Sequence, residues 1–216
     1  MFDSKSFEML NNVVDEKNLQ DNLSFTAFYI AVYENFAYIV QDRIKSFYCH
    51  RMTRKEDGTF EYEYDEEYVN LIKNRIVDDK GNKNPLKASV LWFVDAGAIT
   101  MDDYELFLKI KEQRNVFAHQ LTDVILRGNT EEEIVLFFQM FELYQKIEKW
   151  WINEIEIPCS GEILPDSYNR DEVESVITGL YKLMIDVLFL GHSEKLKQFV
   201  NEQMRKHGGG SDETPI

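Results

Sequence analysis

Apolar residues recur every three or four positions along most of the chain, which is the spacing of amphipathic helices. The pattern predicts helices over residues 3–17, 24–49, 66–77, 85–96, 100–126, 131–155, 171–190 and 193–206. Residues 24–49 are apolar on more than one face, which predicts a central helix. Residues 171–190 predict a further core helix, whose apolar stripe is Val173, Val176, Leu180, Leu183 and Val187.

Capping signals support several of these helix boundaries. Pro85 suits the first turn of a helix, where its missing N–H costs nothing. Thr100 is followed three residues later by Asp103, which resembles a capping box with Asp in place of the usual Glu. Glu131 to Glu133 are acidic residues at a helix start, as the helix dipole favours.

Residues 50–66 have a different pattern from the predicted helices. Asp57-Gly58 indicates a turn, and Thr59 to Tyr64 alternate polar and aromatic residues, which is typical of a strand or an extended loop. We therefore predict a small irregular or extended insertion at 50–66, followed by a helix and a loop over residues 78–85.

These elements predict an all-α fold, an up-and-down bundle of about five or six helices. The 216 residues include only 10 Gly and 4 Pro, which favours long helices over a many-stranded fold. Residues 1–207 are predicted to form a single helical domain. The glycine-rich end, residues 208–216, is predicted to be a disordered tail.

Charge and cysteine content restrict the classes of function. The net charge of −15 argues against broad nucleic-acid binding, although an acidic average can conceal a basic cleft. Cys49 and Cys159 stand at no metal-ligand spacing, so we expect no disulfide framework and a reducing compartment. We also expect no metal and no cofactor, because His50, His192 and His207 have no partner at metal-ligand spacing and the sequence has no Gly-rich phosphate loop. With no signal-peptide pattern and no apolar run of about 18 residues, the sequence predicts a cytoplasmic protein without a membrane span.

The most informative segment is Arg114-Asn115-Val116-Phe117-Ala118-His119, within the predicted helix 100–126. Asn115 and His119 are four residues apart and share a helix face. His titrates near neutral pH and can move a proton, and Arg carries a permanent charge with several donors for phosphoryl oxygens. Asn115 can orient a hydroxyl group or the imidazole. These residue types suit RNA cleavage without a metal.

An Arg-polar-x-x-x-His segment in a small all-helical protein resembles the HEPN (higher eukaryotes and prokaryotes nucleotide-binding) superfamily. The resemblance implies a metal-independent endoribonuclease acting as a toxin or anti-phage effector, with an antitoxin or other regulatory protein as a possible partner. It also implies a homodimer that pairs two motifs in one cleft on RNA. Arg114 would contact the phosphate, Asn115 would be the polar residue that follows it, and His119 would be the catalytic histidine.

Two features depart from the superfamily pattern, and a second segment also matches its permissive form. Leu121 stands where some members carry a tyrosine that a partner nucleotidyltransferase modifies. The motif also lies late in its predicted helix instead of near a helix start, which a kink or break near Asn115 would reconcile. Arg43 and His50 have the permitted separation too, but Ile44 is not the polar residue expected after the arginine.

Basic stretches near the motif in sequence are candidates for substrate binding. Lys73 and Arg75 belong to one stretch, residues 71–87, and Arg43 and Lys45 belong to another, residues 43–55. These two stretches could rim a cleft that holds phosphate, or they could be ordinary solvated loops.

A non-catalytic alternative remains open at the level of sequence. Arg114 could simply pair with a nearby acidic residue, and His119 could be a partly buried histidine with a structural role. The chain would then be a helical module that binds a protein partner, RNA or a nucleotide without cleaving it.

Overall fold

The computed structural model describes residues 13–161, 163–189 and 191, and the chain forms two compact units. The first unit, Met1–Val173, contains α1 (Glu16–Phe47), β1 (Cys49–Arg54), β2 (Phe60–Tyr64), α2 (Glu66–Tyr68, continued by a π-helical turn Val69–Lys73), α3 (Pro85–Asp95), α4 (Met101–His119), α5 (Leu121–Arg127), α6 (Glu131–Trp151, continued by a π-helical turn Ile152–Glu156) and α7 (Ile157–Ser160). The second unit, Glu174–Ile216, contains α8 (Val176–Leu188). The all-α prediction is confirmed.

The core of the first unit is built on α1, as the wide apolar surface of that helix predicts. Phe25 of α1 meets Phe117 of α4 and Phe137 of α6, with ring centroids 6.2 and 5.7 Å apart. Further along α1, Phe36 meets Phe107 of α4 at 6.0 Å. The contacts therefore run in opposite order along the two helices, so α1 and α4 are antiparallel.

One end of the core is closed by aromatic side chains from the ends of three helices. Trp92 of α3 lies 5.8 Å from Phe47 and 6.4 Å from Trp151, measured between ring centroids. Its indole N–H donates to the Tyr48 hydroxyl at 2.9 Å. Helices α1, α3 and α6 therefore end at the same side of the core, where α4 begins.

The insertion predicted at 50–66 is a β-hairpin. Strands β1 and β2 pair antiparallel, with Arg54 opposite Phe60 and Met52 opposite Tyr62. A bulge between Cys49 and Arg51 shifts the register beside α1. The alternation of polar and aromatic residues in β2 correctly indicated extended structure.

Three predicted helix boundaries and one predicted core are wrong. Helix α1 begins at Glu16 rather than near Ser24, because the Asp15 side chain accepts from the Asn18 N–H at 2.9 Å and caps it. The predicted helix 100–126 is divided at Gln120, whose φ and ψ are −124° and 33°. The helix predicted over 171–190 begins only at Val176, and it exposes the predicted core residues Val176, Leu180, Leu183 and Val187.

Several predictions fall wholly or partly on residues outside the described ranges. These are most of the helix at 3–17, the helix at 193–206 and the tail at 208–216. The single domain over 1–207 stays a prediction for the same reason.

Candidate functional site

Helix α4 carries the Arg114–His119 segment and is fixed at both ends. At its start, the Thr100 hydroxyl accepts from the Asp103 N–H, and the Asp103 carboxylate accepts from the Thr100 N–H at 2.7 Å, which completes the predicted capping box. At its end, His119 is the last helical residue before the break at Gln120. The motif thus occupies the final turns of a helix, and the break follows the histidine instead of lying near Asn115.

Arg114 is held in place by α1. Its Nε and Nη2 atoms both donate to Oε1 of Glu34, and the Nε distance is 2.6 Å. The guanidinium carbon lies 5.7 Å from the centre of the Tyr33 ring, within range of a cation–π interaction. The Arg114 side chain is still 28% exposed, so it is partly open to solvent. The ion pair expected under the non-catalytic alternative is therefore present.

Burial raises the pKa of the Tyr33 hydroxyl to about 12, against the opposing charge of Arg114. The phenol therefore stays protonated at neutral pH and provides a neutral ring beneath the guanidinium. Tyr33 and Glu34 are adjacent residues of α1, so a single turn of that helix fixes both the position and the electrostatic surroundings of Arg114.

Asn115 and His119 complete the motif on the outer side of α4. Asn115 is half-buried, and its Oδ1 atom accepts from Nη1 of Arg114 at 3.2 Å. His119 is exposed, and it makes no hydrogen bond or ion pair with any residue that the structure describes. The buried histidine of the non-catalytic alternative is not observed; the imidazole is available to a bound molecule.

Gln113, the residue before Arg114, connects α4 to α6. Its amide donates to Glu133 at 2.6 Å, and this carboxylate also accepts from Arg127 and from the Thr130 N–H. Because Glu133 is buried, one fixed acidic residue joins the motif helix to α5 and α6. This network holds the chain on both sides of the break at Gln120.

Two lysines of this region were not among the predicted site residues, although Lys87 belongs to the basic stretch 71–87. Lys111 lies one turn before Arg114 on α4, and Lys87 lies in the first turn of α3, which packs against α4. Both are half-buried, and neither forms an ion pair with a carboxylate in the described part of the chain. Burial and the charges of Lys87 and Arg114 lower the pKa of the Lys111 ammonium. Its i−3 spacing from Arg114 was the sequence signal for Lys111.

The structure places two of the predicted substrate-binding residues in ion pairs away from the motif. Arg43 binds Glu148 and Glu156 and lies over the Trp151 ring at 5.2 Å. It is nine residues from Glu34 on α1, about 13 Å along the helix. Arg75 binds Asp95, with an N–O distance of 2.6 Å, at the end of α3.

The other two predicted substrate-binding residues are exposed. Lys45 lies in the last turn of α1 and forms no ion pair with a described residue. Lys73 places its ammonium over two aromatic rings, 5.1 Å from the centre of Tyr64 and 5.4 Å from that of Tyr68. None of the four predicted residues contacts Arg114, Asn115 or His119 within the described structure.

The second Arg–His match does not form a joint site. His50 of β1 lies beside two hairpin carboxylates, with nitrogen–oxygen distances of 3.2 Å to Asp65 and 3.6 Å to Glu63. Arg43 is turned instead toward Glu148 and Glu156. The geometry therefore favours the segment ending at His119.

A cleft of about 460 Å³ lies elsewhere in the first unit, along the outer face of α6. Lys149 and Asn153 line it, and their side chains bind the backbone oxygens of Asp171 and Arg170. The cleft does not include the motif residues. In the described ranges, no group of three or more His, Cys, Asp or Glu side chains is placed to hold a metal ion.

Helix α1 is long and apolar enough to cross a membrane by length and composition. Half of its most apolar window is buried in the fold, as in the central helix of a soluble protein. No family model matches the chain, and no curated protein or solved structure matches it either.

Proposed function

We propose that the protein is a metal-independent endoribonuclease of the HEPN type. It acts as a homodimer in the cytoplasm, as a toxin or anti-phage effector under the control of a regulatory protein partner. The observation that carries the proposal is the state of the motif: Arg114 is fixed yet solvent-accessible, Asn115 is bonded to it, and His119 is exposed at the helix end without a protein partner.

The proposed reaction is an internal transesterification that releases the downstream RNA fragment with a 5′-hydroxyl. His119 of one copy accepts the proton of a 2′-hydroxyl as that oxygen forms a bond to phosphorus. The bond from phosphorus to the 5′ oxygen breaks, and this oxygen takes a proton from the imidazolium form of the second copy's His119, which becomes neutral. Arg114 offsets the charge that develops on the non-bridging oxygens. The products are a 2′,3′-cyclic phosphate and a 5′-hydroxyl.

The surroundings of Arg114 support an anionic ligand. The protein has 39 acidic and 24 basic residues. Lys111 nevertheless lies close enough to both Lys87 and Arg114 that, besides burial, their charges lower the pKa of its ammonium, and neither lysine forms an ion pair with a described carboxylate. Half-buried like charges repel one another, and an anion relieves that repulsion. Phosphates that flank the cleaved bond would supply the anion.

Purified wild-type protein is expected to cleave single-stranded RNA in EDTA, leaving 2′,3′-cyclic phosphate and 5′-hydroxyl ends. The reason is that the proposed proton transfer and charge stabilisation use only side chains. Gel analysis with chemical identification of the ends measures both features. Cleavage that requires added Mg²⁺, or products with a 5′-phosphate, would contradict the mechanism.

Lys111→Met is expected to weaken binding of RNA and to reduce the salt dependence of that binding. Loss of one phosphate contact lowers the slope of log K against log salt by about 0.7 for a single strand. Titrations of a non-cleavable 2′-O-methyl RNA at several salt concentrations measure the slope. Lys109→Met, an exposed lysine on the same helix, is the matched control. If the two variants have equal salt slopes, Lys111 does not contact the phosphates of the bound RNA.

The ion pair between Arg114 and Glu34 is the observation that favours a second candidate function. A guanidinium bound to a carboxylate and lying over Tyr33 is also a structural arrangement, as in a non-catalytic helical module that binds a protein partner. The two candidate functions predict different outcomes for RNA cleavage and for partner binding. The module shows no cleavage of RNA by folded protein, and its complex with a partner survives the loss of His119.

A further inference from the structure

One face of the β-hairpin carries exposed aromatic and apolar side chains together with cations. Residues paired across an antiparallel ladder share a face, so Arg54 joins Phe60 and Met52 joins Tyr62. Met52, Phe60 and Tyr62 are 58%, 47% and 48% exposed. A hairpin ordinarily turns its apolar face toward the core, so this exposure sets the face apart.

The aromatic side chains of this face form a row that is anchored in the core. The rings of Tyr62 and Tyr64 are stacked at 6.4 Å, and those of Tyr64 and Tyr68 are stacked at 4.6 Å. Tyr68 is buried and contacts Tyr48, so the inner end of the row is fixed while the outer end is open to solvent. A partner that stacks on Tyr62 would meet an already ordered surface.

The charges of the hairpin are divided between its two faces. The aromatic face carries Arg54 and, over the Tyr64 ring, the ammonium of Lys73. Neither cation forms an ion pair with a described residue. The opposite face carries Glu61 and Glu63, whose charges are matched by Lys55 and Arg51. The aromatic face is thus positively charged in a protein whose net charge is −15.

We infer that this face, formed by Met52, Arg54, Phe60, Tyr62, Tyr64 and Lys73, binds single-stranded RNA. Exposed rings accept stacked bases, and the flanking cations accept phosphates; this combination is the chemistry of single-strand recognition. The choice of RNA as the nucleic acid rests on the proposed function. In this inference the hairpin and Lys73 bind the substrate strand of RNA.

The test measures binding, so that it does not depend on cleavage. A fluorescent 12-nucleotide 2′-O-methyl RNA, which has no free 2′-hydroxyl to attack, is titrated with full-length protein at low salt. Tyr62→Ala is expected to weaken binding about 5- to 100-fold, the loss of one stacked base. Tyr62→Phe, which keeps the ring, should retain wild-type affinity. Lys73→Met should lower the salt slope by about 0.7.

Tyr38→Ala is the matched control, because Tyr38 is an exposed aromatic residue of α1 that lies outside the hairpin, eleven residues before β1 begins at Cys49. It should bind RNA like the wild type, and a 12-base-pair RNA duplex should bind the wild type and Tyr62→Ala equally. The inference is overturned if wild-type protein does not bind the single strand, or if Tyr62→Ala and Tyr38→Ala bind equally well. It is also overturned if Phe60→Ala dissociates a dimer while RNA affinity stays unchanged, since the face would then be a protein interface.

Failure of the nuclease proposal can be distinguished from failure of the hairpin inference. If the protein binds the single strand through Tyr62 but never cleaves RNA, the nuclease proposal fails while the hairpin inference holds. If it cleaves RNA and Tyr62→Ala binds the strand normally, the hairpin inference alone fails.

Discussion

His119→Ala is expected to lower the rate of RNA cleavage by on the order of 10²–10⁴, the usual contribution of one acid–base group. The free energy of unfolding should change by less than about 0.5 kcal/mol, because the side chain is exposed and bonds to no described residue. Single-turnover cleavage rates at saturating protein, together with urea unfolding, measure the two quantities. A large loss of rate without a loss of stability identifies a reacting group.

His50→Ala is the control that the chain itself provides for this experiment. His50 belongs to the second Arg–His match and is exposed like His119, but it lies on the hairpin beside Glu63 and Asp65. We expect His50→Ala to cleave RNA at the wild-type rate. If His119→Ala also cleaves normally as a folded protein, the assignment of the motif is refuted. If only His50→Ala loses activity, the site lies at the hairpin instead.

Local signals predicted most of the helices because their ends are set by neighbouring residues. The capping box of Thr100 and Asp103 and the proline at residue 85 act within one turn, so they can be read directly from the sequence. The start of α1 was predicted wrongly because Asp15 and Ser24 are both good capping residues, and the helix begins after the earlier one. The sequence around Gln120 contains neither Gly nor Pro, so nothing local predicts the break there. The contacts of Glu133 with Gln113 and Arg127, one on each side of the break, join residues that are distant from Glu133 or lie beyond the break.

Periodicity predicts which residues share a helix face but not what covers that face. Val176, Leu180 and Leu183 have the spacing of a core stripe, and each is exposed in α8. The same limit applies to the hairpin, where alternation correctly indicated a strand in β2 but gave no sign that Phe60 and Tyr62 would face solvent. Whether an apolar face is buried depends on contacts between segments far apart in sequence.

The partners of the candidate site residues could not be predicted for the same reason. Glu34 is 80 residues from Arg114, and Glu148 is 105 residues from Arg43. The local sequence does not distinguish an arginine that binds a distant carboxylate from one that is free to bind a phosphate. The exposure of His119 and the lack of an ion pair between Lys111 and any described carboxylate are likewise properties of the folded chain.

Arg43→Ala is expected to lower the free energy of unfolding by about 3 kcal/mol, because it leaves Glu148 without its main cation. The Glu148 side chain is 3% exposed, and its Oε2 atom accepts from Nη2 of Arg43 at 3.0 Å. The carboxylate would therefore remain buried without a countercharge. Urea unfolding followed by circular dichroism measures the loss.

Arg75→Ala is the matched control, since Arg75 also forms a 2.6 Å ion pair, but with Asp95, which is 56% exposed. An exposed pair contributes about 0–1 kcal/mol, so this variant should unfold almost like the wild type. The double variant Arg43→Met, Glu148→Met should recover much of the lost stability, because no buried charge is left unpaired. If instead Arg43→Ala is as stable as the wild type and binds RNA less tightly, Arg43 is a substrate contact, as its sequence position first suggested, and its ion pairs are incidental.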